Sequence, residues 1–208
     1  MKLYTALFIV FFSVTLTAQK RVSKTYSAAG VKELQIHSNE IFEIKVNTAQ
    51  TDIITIYTVI DGEIFASTLL NTQIDNEVLQ IKTGTTPDYV PFNDKLSAHK
   101  VMAIELEIIM PLEMDLSIFS TLSSVITAGK LGKVRIDLGR GNFTAKKFRF
   151  RESAKINTIS GNVDIELDQA HVTAQSRNGI VVIPTDINMG APLSVESLDG
   201  DITIRKSQ

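Results

Sequence analysis

The sequence predicts an all-β protein of short stacked coils, a β-solenoid, and three observations predict it. Beyond residue 20 the chain alternates short runs of Ile, Val, Thr and Phe with Gly, Asn, Asp and Ser, the pattern of strands and turns, and helical periodicity is missing. The second half repeats. One column of the repeat holds residues that accept a sharp bend. A β-sandwich is the competing architecture, since short strands and turns suit it too.

In the first half, strands are expected at Lys32 to Ile36, Ile41 to Val46, Ile53 to Val59, Val78 to Lys82 and Val101 to Met110. Pro111 closes the last, because proline cannot donate to a sheet ladder.

In the second half, five ten-residue windows align without a gap: IFSTLSSVIT from Ile118, IDLGRGNFTA from Ile136, INTISGNVDI from Ile156, TAQSRNGIVV from Thr173 and VESLDGDITI from Val195. Their starts lie 18, 20, 17 and 22 residues apart, a period found in solenoids. Position one (Ile118, Ile136, Ile156, Thr173, Val195), position eight (Val125, Phe143, Val163, Ile180, Ile202) and position ten (Thr127, Ala145, Ile165, Val182, Ile204) are small or apolar and face inward, Thr173 being the exception. Position six, with Ser123, Gly141, Gly161, Asn178 and Gly200, is read as one bend repeated at every coil, Ser123 its weakest member. One coil cannot bury its inner face alone, so the coils must stack. The segment IHSNEIFEI from Ile36 fits the template with one residue fewer in the bend, bringing Phe42 and Ile44 into apolar columns. A single domain is therefore expected over 31–208, clearest at 118–204, behind a short lead at 19–30.

The opening of the chain gives an address. Met1-Lys2 is followed by an uncharged apolar run of 14 residues, Leu3 to Leu16, and then by Thr17-Ala18-Gln19. That is the layout of a secretory signal peptide, too short for a membrane-spanning helix, with cleavage expected after residue 18 or 19. Removal of Lys2 takes the net charge from -2 to -3, which gives no overall field for nucleic acid or anionic membrane. The chain has no cysteine, so neither a disulfide nor a lipid-bearing cysteine is available, and a periplasmic or extracellular protein that is not a lipoprotein is expected.

The run IELEIIMPLEMDLSIFS (Ile104 to Ser120), with SGNVDI (Ser160 to Ile165) and DGDITI (Asp199 to Ile204), resembles the bacterial putative-adhesin family of β-strand repeats, exported and common in Bacteroidetes-type bacteria. The resemblance covers roughly Val31 to Arg205. It implies a right-handed parallel β-helix and an adhesive or scaffolding role, and it supplies no set of binding residues.

Motifs for chemistry are sparse. Gly139-Arg140-Gly141 continues as Asn-Phe-Thr, without nucleotide-binding spacing, and reads as a bend. His37, His99 and His171 are far apart and make no metal motif, so neither a metal nor a cofactor is expected. Asp199-Gly200-Asp201 lacks the further carboxylates of a calcium loop. In the outward position two, Asp137 and Glu196 are three coils apart, on the order of 14 Å, too far for a glycosidase pair. Asp164 is isolated in its column between Thr144 and Val181.

Two surface features remain as candidate ligand sites. Lys146, Lys147, Arg149 and Arg151 interleave with Phe148 and Phe150, and outside the cell their anionic partners would be glycans or lipopolysaccharide; the plainer reading is a strand with solvated basic side chains and buried phenylalanines. Gly84 to Lys100, with Tyr89 and Phe92, has the composition of a binding loop, or of a cover for the solenoid flank. The expected protein is a non-enzymatic envelope adhesin or scaffold whose partner is a glycan or an envelope protein. The alternatives are a carbohydrate-active β-helix enzyme and an envelope-stress or signalling accessory. The C-terminal strand Ile202 to Ile204 is expected to be an open edge guarded by Arg205 and Lys206, through which the chain could self-associate.

Overall fold

A computed structural model describes residues 19–61, 68–85, 103–187 and 189–207. The signal-like segment 1–18 and Tyr89 and Phe92 lie outside the described residues. In chain order the strands are β1 Gln19–Ser27, β2 Glu33–Ser38, β3 Ile41–Ala49, β4 Ile53–Asp61, β5 Thr68–Asp75, β6 Val78–Thr85, β7 Ala103–Pro111, β8 Asp115–Ser120, β9 Ser124–Leu131, β10 Val134–Arg140, β11 Phe143–Phe150, β12 Ala154–Ser160, β13 Val163–Leu167, β14 His171–Ser176, β15 Val181–Val182, β16 Pro192–Asp199 and β17 Ile202–Lys206. No helix occurs among the described residues. The five strands expected in the first half are present, the first four extended at their C-terminal ends, while β7 is described from Ala103, the expected start at Val101 lying outside the described residues, and Pro111 does end it. Residues 19–27, read as a lead, form β1.

These strands make two sheets and no closed barrel. The first has the order β1-β4-β7-β3-β9-β11-β13-β17-β15, the second β14-β16-β12-β10-β8-β2-β6-β5. The layering is that of a β-sandwich, the alternative weighed from sequence. Within each sheet the strands of the repeat pair in parallel, whereas β1, β4 and β5 at one end pair antiparallel. Alternation along each strand sends Ile, Leu, Val and Phe inward, and Phe143 and Phe148 are the largest fully buried side chains.

From β7 onward successive strands alternate between the sheets, so β8 and β9 form one rung, β10 and β11 the next, then β12 and β13. The rung after that is β16 and β17, not β14 and β15: β16 lies between β12 and β14, and β17 between β13 and β15. β15 therefore covers the C-terminal strand at Ile202 and Thr203, which corrects its reading as an edge open along its length, while Ile204 to Lys206 pair with β13 alone. Arg205 and Lys206 are tied to Asp164 and Asp186. The exposed rung is β14 and β15, with Ile180 69% exposed. The N-terminal half shows the same interleaving, since β2 lies between β6 and β8, and β3 between β7 and β9.

Register tests the repeat residue by residue. Ile118, Ile136, Ile156 and Val195 share one column, and Val125, Phe143, Val163 and Ile202 another, as the windows align them. The fourth window slips by one: Ala174 pairs with Val195, Thr173 with Ser194, and Val181 with Ile202. The exceptional Thr173 thus belongs outside, because a one-residue slip exchanges the two faces. The same slip puts Gly179 rather than Asn178 at the bend. In β3 the error runs the other way. Ile44 pairs with Val125 while Ile36 pairs with Ile118, so this bend is one residue longer than the template, and an irregularity between Ile41 and Glu43 leaves Phe42 61% exposed and Ile41 buried.

The bends are held by two ladders. A Cβ on Gly141 would run into the Ser123 carbonyl, one on Gly161 into Gly141, one on Gly200 into Gly161, and one on Gly179 into Gly200. Close approach between rungs excludes a side chain at all four, and positive φ adds to it at Gly141, Gly161 and Gly200. Beside them, Asn142 Oδ1 accepts from the Asn162 N–H, Asn162 Oδ1 from Asp201, and Asp201 Oδ1 from Ile180, at 2.9, 2.9 and 2.8 Å. Ser123 is no weak bend. It is fully buried, and its hydroxyl donates to the Ile41 carbonyl at 2.6 Å, linking its rung to β3.

Candidate functional site

The basic strip lies on β11, and a β-bulge shapes it. Lys146 pairs with Ala128 and Arg149 with Lys130, so the strand gains a residue between them, and Lys147 takes a φ of +47°. The extra residue leaves Lys146 and Lys147 both exposed and sends Phe148 into the core, against Phe143 at 6.1 Å and Phe150 at 5.3 Å between ring centroids. The phenylalanines are thus structural, as the plainer reading held. The ammonium groups of Lys146 and Lys147 and the guanidinium of Arg149 make no ion pair or hydrogen bond among the described residues. Arg151 leaves the group, because it pairs with Glu152 at 2.7 Å and Glu113 at 3.6 Å. Glu113 also holds Lys130. The Lys130 hydrogen bond and charge, with Arg151 beyond, keep the Glu113 carboxyl below the usual range.

A second surface went unnoticed in the sequence. On the outer face of the second sheet, position two of the repeat continues past Phe119 onto β2 and β6, so that Lys82, His37, Phe119, Asp137, Asn157 and Glu196 stand on successive strands. His37 stacks on Phe119 with centroids 4.6 Å apart and rings 12° from parallel, and the Arg135 guanidinium covers the same ring at 5.3 Å. Burial, followed by the charge of Lys82, lowers the His37 pKa and favours the neutral imidazole. Asp137 accepts from Arg135 Nε at 2.8 Å and from Asn157 Nδ2 at 2.5 Å. Burial opposes its ionisation, but these bonds and the charges of Arg135 and Lys155 outweigh it and hold the carboxyl below its ordinary value. The column that named Phe119 and Asp137 was legible. Its continuation to His37 and Lys82 was not, since β2 and β6 are distant in sequence.

A cavity of about 480 Å³ opens beside this row, lined by His37, Asn39, Glu40, Lys82, Phe119 and Asp137 among others. The strand order also corrects the spacing of the carboxylates. Asp137 and Glu196 are two strands apart, on the order of 10 Å, rather than three coils. That is near the upper end of the range for an inverting glycosidase. Both Asp137 oxygens are engaged and its titration is displaced toward the ionised form, which suits an anchored carboxylate and not a proton donor. Asp164 is not isolated either, since Arg205 pairs with it and Thr203, not Val181, is its neighbour. Asp199 and Asp201 serve the bend, accepting from Asn178 Nδ2 and the Ile180 N–H. Among the described residues no group of three or more His, Asp or Glu side chains converges on a common metal position.

No family model matches the chain, and no curated protein matches it. The fold does have solved counterparts. A putative cell adhesion protein from Clostridium sporogenes superimposes with a TM-score of 0.65 at 13% identity, over 90% of this chain and 99% of that one. A putative adhesin from Bacteroides fragilis gives 0.46 at 13% identity, over 90% and 97%. At these identities the likeness is one of fold, and it rests on the first.

Proposed function

We propose that the chain is a non-enzymatic, exported binding scaffold of the cell envelope, and that it holds an anionic glycan, such as a phosphorylated or uronate-bearing polysaccharide, on Lys146, Lys147 and Arg149. The single observation that carries this reading is the bulge in β11. It turns two adjacent lysines outward beside Arg149 at the cost of a positive φ at Lys147, and among the described residues no carboxylate pairs with them. Bulges are built features that re-aim side chains, and unpaired cations on a rigid strand attract a polyanion without reorganising. Export is supported by the basic, apolar, small-residue layout of segment 1–18. The parallel pairing of alternate strands supports winding as a flattened right-handed helix, since parallel crossovers take that hand almost without exception. Such a body presents long faces to extended partners.

The test is binding of the chain from Gln19 onward to an array of phosphorylated, uronate-bearing and lipopolysaccharide glycans. Retention should fall as salt rises and vanish in the Lys146→Ala, Lys147→Ala, Arg149→Ala triple variant. Arg151→Ala should bind like the parent, because Arg151 is already paired. Equal binding by parent and triple variant, or none by either, would overturn the reading.

A further inference from the structure

The row on the second sheet is a site of a different kind. The cavity beside Phe119 adjoins another of about 480 Å³ lined by Asn71, Gln73 and Gln80, and the two share Lys82 and Thr83. Together they cross β5, β6, β2, β8 and β10, a groove on the order of 19 Å long at the usual strand spacing. It runs perpendicular to the strands.

We propose that this groove binds an uncharged oligosaccharide, laid across the strands of the second sheet with its centre over Lys82 and Asp137. Three features favour that ligand class. First, charge of both signs is interspersed along the groove: Lys82 and Glu40 line one cavity, and Asp137 beside them is held by Arg135, so no single-sign surface selects an ion. Second, the side chains of Lys82 and Glu40 make no ion pair or hydrogen bond among the described residues, which leaves a strong donor and a strong acceptor facing one cavity. Amides at Asn71, Gln73 and Gln80 both donate and accept, the pattern that matches vicinal sugar hydroxyls. Third, the floor is built in advance. The Phe119 ring is held between His37 and Arg135, and Asp137 between Arg135 and Asn157, so ordering these groups costs little on binding. Because both faces of the Phe119 ring are covered, the ring offers an edge and the polar groups carry recognition.

The test titrates the chain from Gln19 onward with short oligomers of glucose, mannose and N-acetylglucosamine, read by saturation-transfer NMR and calorimetry. At least one series should saturate, with the same affinity at low and high salt. Lys82→Ala and Glu40→Ala should each weaken it about tenfold or more, as expected for a lost charge-assisted hydrogen bond. Asn71→Ala, an exposed substitution far from the core, should also weaken longer oligomers and guards against a folding artefact. The Lys146, Lys147, Arg149 triple variant should bind as the parent does, so failure of the basic strip and failure of the groove are separately visible. Saturation by no oligomer, binding indifferent to all three groove substitutions, or binding abolished by salt or by the triple variant would each overturn the proposal.

Discussion

Gly161 illustrates how one residue fixes the distance between rungs. Its φ is +151°, and a Cβ would collide with the Gly141 carbonyl. Gly161→Ala should therefore cost about 3 kcal/mol or more, the sum of backbone strain and forced separation. Gly30 separates the two causes, since its φ is +79° but nothing lies within 4 Å of the Cβ position; Gly30→Ala should cost only about 1 kcal/mol. Urea denaturation of the pair measures the difference. His37 supplies a pH signature. Its pKa in the fold is below the ordinary 6.5, so the unfolded chain binds the extra proton first. The stability it contributes is complete above that ordinary value and is lost as pH falls toward the folded pKa. The urea midpoint should drop as pH falls below the ordinary 6.5, and less so in His37→Gln.

At the scale of elements, the ladder through Asn142, Asn162 and Asp201 converts a sequence motif into a clamp between bends. Asn162→Ala removes the acceptor for the Asp201 N–H, and a loss of about 1 kcal/mol is expected. Asp201→Asn keeps an oxygen for the Ile180 N–H and should be nearly neutral. Strand β11 behaves oppositely, because its bulge carries strain for the sake of a surface. Lys147→Gly should relieve the positive φ and stabilise the fold by about 1 kcal/mol, while weakening retention of anionic glycans. A gain in stability with a loss of binding is hard to obtain from a purely structural bulge.

At the scale of the molecule, the last rung formed is not the last rung in space. Because β16 and β17 lie between β12–β13 and β14–β15, deleting 191–208 should strip the partner from 171–182 as well. Limited proteolysis of that truncation should cut throughout 171–190, whereas the intact chain resists there. If the rungs stacked in chain order, the truncation would leave 171–182 protected.

Much of the fold was legible because period and composition are local. The alternating strands, the apolar columns at Ile118, Ile136, Ile156 and Val195, the bend glycines and the termination at Pro111 all follow from spacing along the chain. Register was legible only where the repeat kept its length. Each one-residue irregularity, at Ile41–Glu43 and at Thr173–Ala174, reversed inside and outside for Phe42 and Thr173, since strand side chains alternate with a period of two. The basic strip was visible as composition, while the bulge that frees Lys147 and the Glu113 pairing that withdraws Arg151 were not. The groove through Lys82, His37, Phe119 and Asp137 was invisible for a further reason: its members come from β6, β2, β8 and β10, brought together by pairing between strands far apart in sequence. The sequence by itself determined that this chain would be all-β, repetitive and bent at glycine. Tertiary structure alone decided which rungs touch, because several rungs present nearly equivalent edges and only long-range packing selects among them.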